Sequence, residues 1–215
     1  MKKQTRKTFC LAFLFLALFL LWTAAVRLID VGAIGPLGSS VGFSALNGAF
    51  HRLTGVHLSL YLLTDWLSLI PLCIVIGFAL LGLLQWTKRK SLLKVDFNLF
   101  VLGGFYIIVL SCYALFEVAV VNYRPILIDG VLEPSYPSST TMLVLCVLPT
   151  AMMQLRSRIK NAVFRRFILF ALAAFTAFML TGRLLSGVHW LSDIIGGALL
   201  SAGLVLLYRA ASGLR

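Results

Sequence analysis

The chain has 215 residues, 60% of them hydrophobic, with only 19 Lys and Arg and 7 Asp and Glu. That is too little polar surface for a soluble domain of this size, so a bilayer is expected to be the solvent for most of the chain. The net charge of +12 would suit a nucleic-acid partner, but the basic residues track the loops between apolar runs, which makes them a topology signal and argues against nucleic acid.

The first apolar run, Phe9 to Val26, follows Lys2, Lys3, Arg6 and Lys7. A cleaved signal peptide has the same order of parts, but this run exceeds the usual h-region of roughly 7–15 residues, so an uncleaved helix is expected. From about Leu28 to Asp65 the chain is expected outside the membrane. A turn-rich stretch, Gly35-Pro36-Leu37-Gly38-Ser39-Ser40, leads into Phe43, Leu46, Phe50 and Leu53 at helical spacing. That pattern fits an interfacial helix, read either as a lid over a lipid entrance or as a surface helix with a packing role alone. Trp66 to Trp86, Phe97 to Phe116 and Pro134 to Leu155 then contain no charged residue, and shorter runs at Phe167 to Gly182 and Ile194 to Tyr208 reach spanning length with their flanks. The expected fold class is therefore all-α: a polytopic six-transmembrane-helix bundle in a single membrane domain over residues 1–215.

Of the 19 basic residues, 15 precede the first run, follow the sixth, or lie between runs two and three or four and five; Arg27, Arg52, Arg124 and Arg183 lie on the other side. The positive-inside rule then puts both termini in the cytoplasm of a multi-pass cell-membrane protein. Cys10, Cys73, Cys112 and Cys146 sit inside apolar runs without Cys-x-x-Cys spacing and read as small hydrophobes. His51 and His57 lack carboxylate or Cys partners at ligand spacing, so no metal site and no cofactor is expected. Gly196, Gly197, Ser201 and Gly203 in the last run allow close helix approach.

Charges at span ends are costly and ask for a reason. Arg124-Pro125 closes the third span, with Glu117 seven residues earlier on the same helix face, in position to pair with Arg124. Pro137-Ser138-Ser139-Thr140 opens the fourth, Arg183 closes the fifth, and His189 with Asp193 opens the sixth. Loop parity brings all four segments to the outward face. His189 and Asp193, four residues apart at a helix start, share a face, and a carboxylate beside an imidazole fixes its tautomer and raises its basicity. Arg124 and Arg183 offer planar forks for phosphate oxygens, or serve as interfacial anchors. Ser138 and Ser139 begin a helix, where free N–H groups favour an anion, a role compatible with N-capping.

Together these residues resemble the type 2 phosphatidic acid phosphatase (PAP2) superfamily of membrane lipid phosphatases. Its motifs are Lys-x6-Arg-Pro, Pro-Ser-Gly-His and Ser-Arg-x5-His-x3-Asp, and the third is matched as Gly182-Arg183-x5-His189-x3-Asp193. The resemblance covers about residues 97–208. It implies a six-helix fold in which His189 attacks phosphorus to form a phosphohistidine, Asp193 orients it, and Arg124, Arg183 and the backbone near Ser138 and Ser139 bind the phosphoryl group. Two family positions are degenerate: Glu117 stands where the family has Lys, and Thr140 where its second His would protonate the leaving group. Ser139 for Gly and Gly182 for Ser are milder departures. Because threonine is no acid near neutral pH, a lipid diphosphate, whose leaving phosphate has a second pKa of about 6, is expected to suit the site better than phosphatidate. The expected activity is hydrolysis or transfer of a lipid-linked phosphate or diphosphate at the outer face, and the expected partner is a membrane lipid phosphate substrate. The alternative is a catalytically inactive PAP2-like protein that binds anionic headgroups or partner proteins; a small-solute transporter finds little support, since the ionisable residues cluster at one face.

Overall fold

The computed structural model describes residues 3–213; Lys2 and Arg215, which enter the charge count above, lie outside them. Among the described residues eight α-helices form: α1 Lys3–Leu28, α2 Ser44–Thr54, α3 Leu58–Leu67, α4 Leu69–Arg89, α5 Phe97–Val118, α6 Ser139–Arg158, α7 Ala162–Leu185 and α8 Leu191–Ser212. No strand forms among the described residues; isolated bridges pair Gly32 with Val41, Tyr123 with Pro134 and Ile128 with Val131.

Among the described residues, five helical segments are long and apolar enough to cross a membrane: α1, α3 with α4, α5, α7 and α8. The sixth helix of the bundle, α6, falls short of that apolarity for a physical reason. It packs against α4, α5, α7 and α8, with Thr140, Thr141, Thr150 and Gln154 buried in protein, so lipid does not dictate its composition. The two innermost helices are α6 and α8. In α8, 56% of the most apolar stretch is buried, against 6% for α3–α4, whose side chains face outward to lipid.

Three boundaries differ from the sequence expectation. The second span starts at Leu58, eight residues earlier than its apolar run, and breaks at Ser68 because Pro71 has no N–H to donate to Leu67. The fourth begins at Ser139, residues 134–138 being non-helical with a bend at Tyr136 and Pro137. The third ends at Val118, so Arg124 lies beyond the helix and shares no helical face with Glu117. Arg124 instead sits on a hairpin, where its N–H donates to the Glu133 carbonyl at 3.0 Å.

α1 runs along α8, and the approach depends on Gly203, where a Cβ would lie 2.7 Å from Leu16 Cδ2. Trp22 Nε1 donates to the Ser192 carbonyl at 3.1 Å, tying α1 to the first turn of α8. At the opposite end, Asp96 caps the approach to α5 and gathers Gln85 Nε2 (2.8 Å), Arg89 Nη1 (3.0 Å) and Arg158 Nη1 (3.3 Å), which joins α4, α5 and α6. The interfacial-type segment does fold as α2. Asn47, fully buried, exchanges two hydrogen bonds with Ser192, and His51 Nε2 lies 3.2 Å from the Gly187 carbonyl. α2 is thus packed over the loop that carries His189.

Candidate active site

Three backbone segments meet at one end of the bundle: the hairpin start at 122–124, the non-helical approach to α6, and the α7–α8 turn. Each is held by local chemistry. Gly187 adopts φ +71, and a Cβ there would sit 2.1 Å from the Gly55 carbonyl, so the turn needs glycine both for its conformation and for its close packing. α8 starts with a capping box in which Asp193 Oδ2 accepts the Trp190 N–H at 3.0 Å. Trp190 Nε1 donates to the Tyr123 carbonyl at 2.7 Å, and the Ser138 N–H donates to the Asp193 carbonyl at 3.1 Å, which locks the starts of α6 and α8 together.

Asp193 is wholly buried. Its Oδ1 accepts from Asn122 Nδ2 at 3.2 Å and from Ser192 Oγ at 3.3 Å. His189 Nδ1 lies 3.8 Å from Asp193 Oδ2, an electrostatic contact longer than a hydrogen bond. On the other side of the ring, Arg124 Nη1 lies 3.4 Å from His189 Nε2. A guanidinium can only donate, so this contact requires a lone pair on Nε2 and the proton on Nδ1, facing Asp193. Burial, the largest cause, pushes the imidazolium down to about 4; Asp193 opposes this, while Arg124 and Arg183 add to it. The expected rise in basicity is therefore outweighed by desolvation and two cations. His189 is a neutral imidazole near pH 7, with its free nitrogen beside Arg124.

Arg183 is 2% exposed. Its Nη1 lies 3.6 Å from Asp65 Oδ1 and donates to Thr64 Oγ1 at 3.4 Å, while Arg124 Nε lies 2.9 Å from Glu133 Oε2. Both guanidinium groups face the ring of Tyr61, at 4.9 and 6.0 Å from its centroid, so one aromatic holds two like charges close together. The Ser138 hydroxyl, Thr141 Oγ1 and Arg183 Nε are buried without a hydrogen-bond partner. Buried polar atoms of this kind ask for an explanation; Arg183 Nε belongs to the pair of cations, and Ser138 is tied through its N–H to Asp193. The first turn of α6 adds backbone N–H groups of Ser139 and Thr140, since its helical ladder opens with the Met142 N–H donating to the Ser138 carbonyl.

His189, Asp193, Arg124, Arg183, Ser138, Ser139 and Thr140 are thus brought together. Glu117 is exposed and lines a small cleft of about 10 Å³ with Tyr113, Ser139 and His189. Thr140 is buried and borders, with Ser139, Tyr113 and Asp65, an apolar groove of about 620 Å³ between α4, α5 and α6. Sequence reasoning did not single out Asn122, Tyr61, Thr64 or Ser192, nor assign Asp65 and Glu133 to the arginines. A charge at a span edge could have flagged Asp65; the others carry no local signal. Gly182 has a structural account: a Cβ there would lie 2.6 Å from Thr64 Cγ2, so glycine lets α3 approach α7. No group of three or more His, Cys, Asp or Glu able to hold a metal occurs among the described residues.

The PAP2 superfamily model matches residues 75–214, well over half of the sequence. The chain belongs to the PAP2 superfamily. Among solved structures, its fold is similar to that of the first transmembrane PAP2-type phosphatidylglycerolphosphate phosphatase from Bacillus subtilis. The TM-score is 0.55 at 17% identity, covering 92% of this chain and 94% of that one. At that identity the likeness speaks for the fold. No curated protein matches the sequence significantly. Membership of the superfamily supports a phosphatase activity, and the apolar helices mark a multi-pass membrane protein.

Proposed function

We propose that this protein releases phosphate from a lipid-linked phosphate or diphosphate at the outer face of the membrane, through a phosphohistidine on His189. The observation that carries the reading is the contact between His189 Nε2 and Arg124. A neutral imidazole with its lone pair beside a phosphate-binding fork is a nucleophile already aimed at the place where phosphorus would be held. Asp193 keeps the proton on Nδ1 and balances the imidazolium charge as the P–N bond forms. Arg124, Arg183, the unpartnered Ser138 hydroxyl and the first-turn N–H groups of α6 take the phosphoryl oxygens as negative charge builds on them. Glu133 and Asp65, both partly exposed, yield their arginines to the stronger phosphate acceptors.

The groove beneath Ser139 and Thr140, lined by Leu72, Val75, Leu143 and Val147, offers room for a hydrocarbon chain. Lys and Arg placement supports cytoplasmic termini and an outward site. The Bacillus subtilis protein is described as acting on phosphatidylglycerolphosphate. A phosphate monoester of a glycerolipid is accordingly one substrate class here, and a polyprenyl diphosphate, which needs less help in leaving, is the other.

The test is phosphate release by purified protein from phosphatidate, phosphatidylglycerolphosphate and a polyprenyl diphosphate, beside His189→Ala, with acid-labile phosphate trapped on the protein. Turnover and a trapped phosphohistidine, both lost in His189→Ala, support the reading. Turnover that survives in His189→Ala refutes it. Binding of anionic vesicles with neither release nor trapping favours the inactive lipid-binding alternative that Glu117 and Thr140 raise.

A further inference from the structure

Glu117 is where the proposed chemistry lacks a part. Cleaving a phosphate monoester of an alcohol leaves an alkoxide, which needs a proton, and Thr140 cannot supply one near neutral pH. The carboxylates around the site differ in their freedom to act. Asp193 is buried and accepts from Trp190, Asn122 and Ser192. Glu133 lies 2.9 Å from Arg124, and Asp65 lies 3.6 Å from Arg183. Glu117 forms no ion pair among the described residues, is open to solvent, and lines the same cleft as His189 and Ser139. That cleft, about 10 Å³, has the space of about one water centre, and Glu117 shares its lining with His189. The ionisable groups facing this region are Tyr113 one turn earlier on α5, Glu133 and Arg124 on the hairpin, and His189 on the α7–α8 turn.

We infer that Glu117 is the proton donor to the leaving oxygen, which turns the two departures at Glu117 and Thr140 into one exchange of the acid's position. The inference rests on the phosphatase reading. In the first step the His189 Nε2 lone pair forms the P–N bond. The P–O bond to the leaving group breaks, its electron pair stays on that oxygen, and the Glu117 carboxyl gives its proton to it. In the second step the Glu117 carboxylate takes a proton from water as the water oxygen bonds to phosphorus. The P–N pair returns to Nε2, and phosphate leaves. With an acid in place the substrate range includes monoesters of poor leaving alcohols and is not confined to diphosphates.

The experiment compares kcat/KM of wild type and Glu117→Gln, as full-length protein in detergent, on phosphatidate and on p-nitrophenyl phosphate, whose nitrophenolate leaves without a proton. Gln has the size of Glu and the site is exposed, so size-exclusion behaviour and thermal midpoint establish that the variant is folded. The expected result is a loss of about 10²-fold on phosphatidate, the lower range for a general acid, and a loss within about threefold on the aryl ester. An equal loss on both substrates overturns the assignment and leaves the phosphatase reading standing, because a merely positioning residue does not sense the leaving group. A gain on either substrate overturns it too, since Glu117 would then be acting only to repel phosphate. Wild-type protein that hydrolyses neither overturns the assignment of Glu117, and phosphate release from a polyprenyl diphosphate then decides the phosphatase reading separately.

Discussion

Asn122 offers a direct test of how the Asp193 carboxylate is held. Its side chain is buried, and Nδ2 donates to Asp193 Oδ1 at 3.2 Å and reaches Ser192 Oγ at 3.4 Å, while Oδ1 accepts the Gly42 N–H at 3.4 Å. Asn122→Ala removes the charge-assisted bond and leaves Oδ1 with the Ser192 hydroxyl alone. A hydrogen bond to a charged group contributes about 1.5–3 kcal/mol, and the two longer contacts add little, so the expected loss is about 2–3 kcal/mol. For a chain of this size that lowers the thermal midpoint by roughly 4–12 °C. Asn122→Asp is the sharper variant: it keeps the shape and sets a second carboxylate against a buried one, so it should be less stable than Asn122→Ala. The assay is tryptophan-monitored unfolding in detergent, with phosphate release measured in parallel. Because Asp193 also faces His189 Nδ1, activity should fall further than stability alone explains. Midpoints within about 1 °C of wild type for both variants would refute the idea that Asn122 supports the carboxylate.

Two further outcomes follow from named contacts. Gly182→Ser, which restores the residue the family carries, pushes a Cβ to 2.6 Å from Thr64 Cγ2 and should cost about 1–3 kcal/mol in thermal stability; adding Thr64→Ser removes that methyl, keeps the hydroxyl that Arg183 uses, and should recover most of the loss. The His189 imidazolium is pushed down to about 4 from an ordinary value of 6.5, so between these values the unfolded chain holds a proton that the folded chain does not. Stability is then full above pH 6.5 and falls as pH drops, by on the order of 3 kcal/mol at pH 4; unfolding curves of wild type minus His189→Asn should isolate this slope, and parallel curves would refute it.

What the sequence revealed and what it hid divide along range. The i,i+4 spacing of His189 and Asp193 is local, and α8 does begin beside them. Uncharged and apolar runs located all six helices of the bundle, and α6, the fourth of them, is the one whose composition falls short of the others because protein surrounds it. Glu117 and Arg124 were expected on one helical face; the Val118 terminus separates them, and Arg124 takes Glu133 from its own hairpin. Asn122 serves Asp193 across 71 positions, and Tyr61 serves two arginines from α3. Such pairs exist only after α3, α5 and α8 have packed, so no period or spacing announces them.

The arrangement also explains why so many charges tolerate burial at a membrane protein's end. α6 and α8 both start at the site, so the positive ends of two helix dipoles point into it, and the Ser138 N–H to Asp193 carbonyl bond fixes them side by side. Two arginines join them there, each matched by a carboxylate that is at least 39% exposed. Ion pairs in that setting are weak, because solvent screens them and competes for both partners. They are strong enough to place the guanidinium groups against Tyr61 and weak enough to be exchanged for an anion that engages both forks, the Ser138 hydroxyl and the α6 N–H groups at once. Under the proposed function, a site built this way keeps its cations in position without a ligand and exchanges its own carboxylates for phosphate.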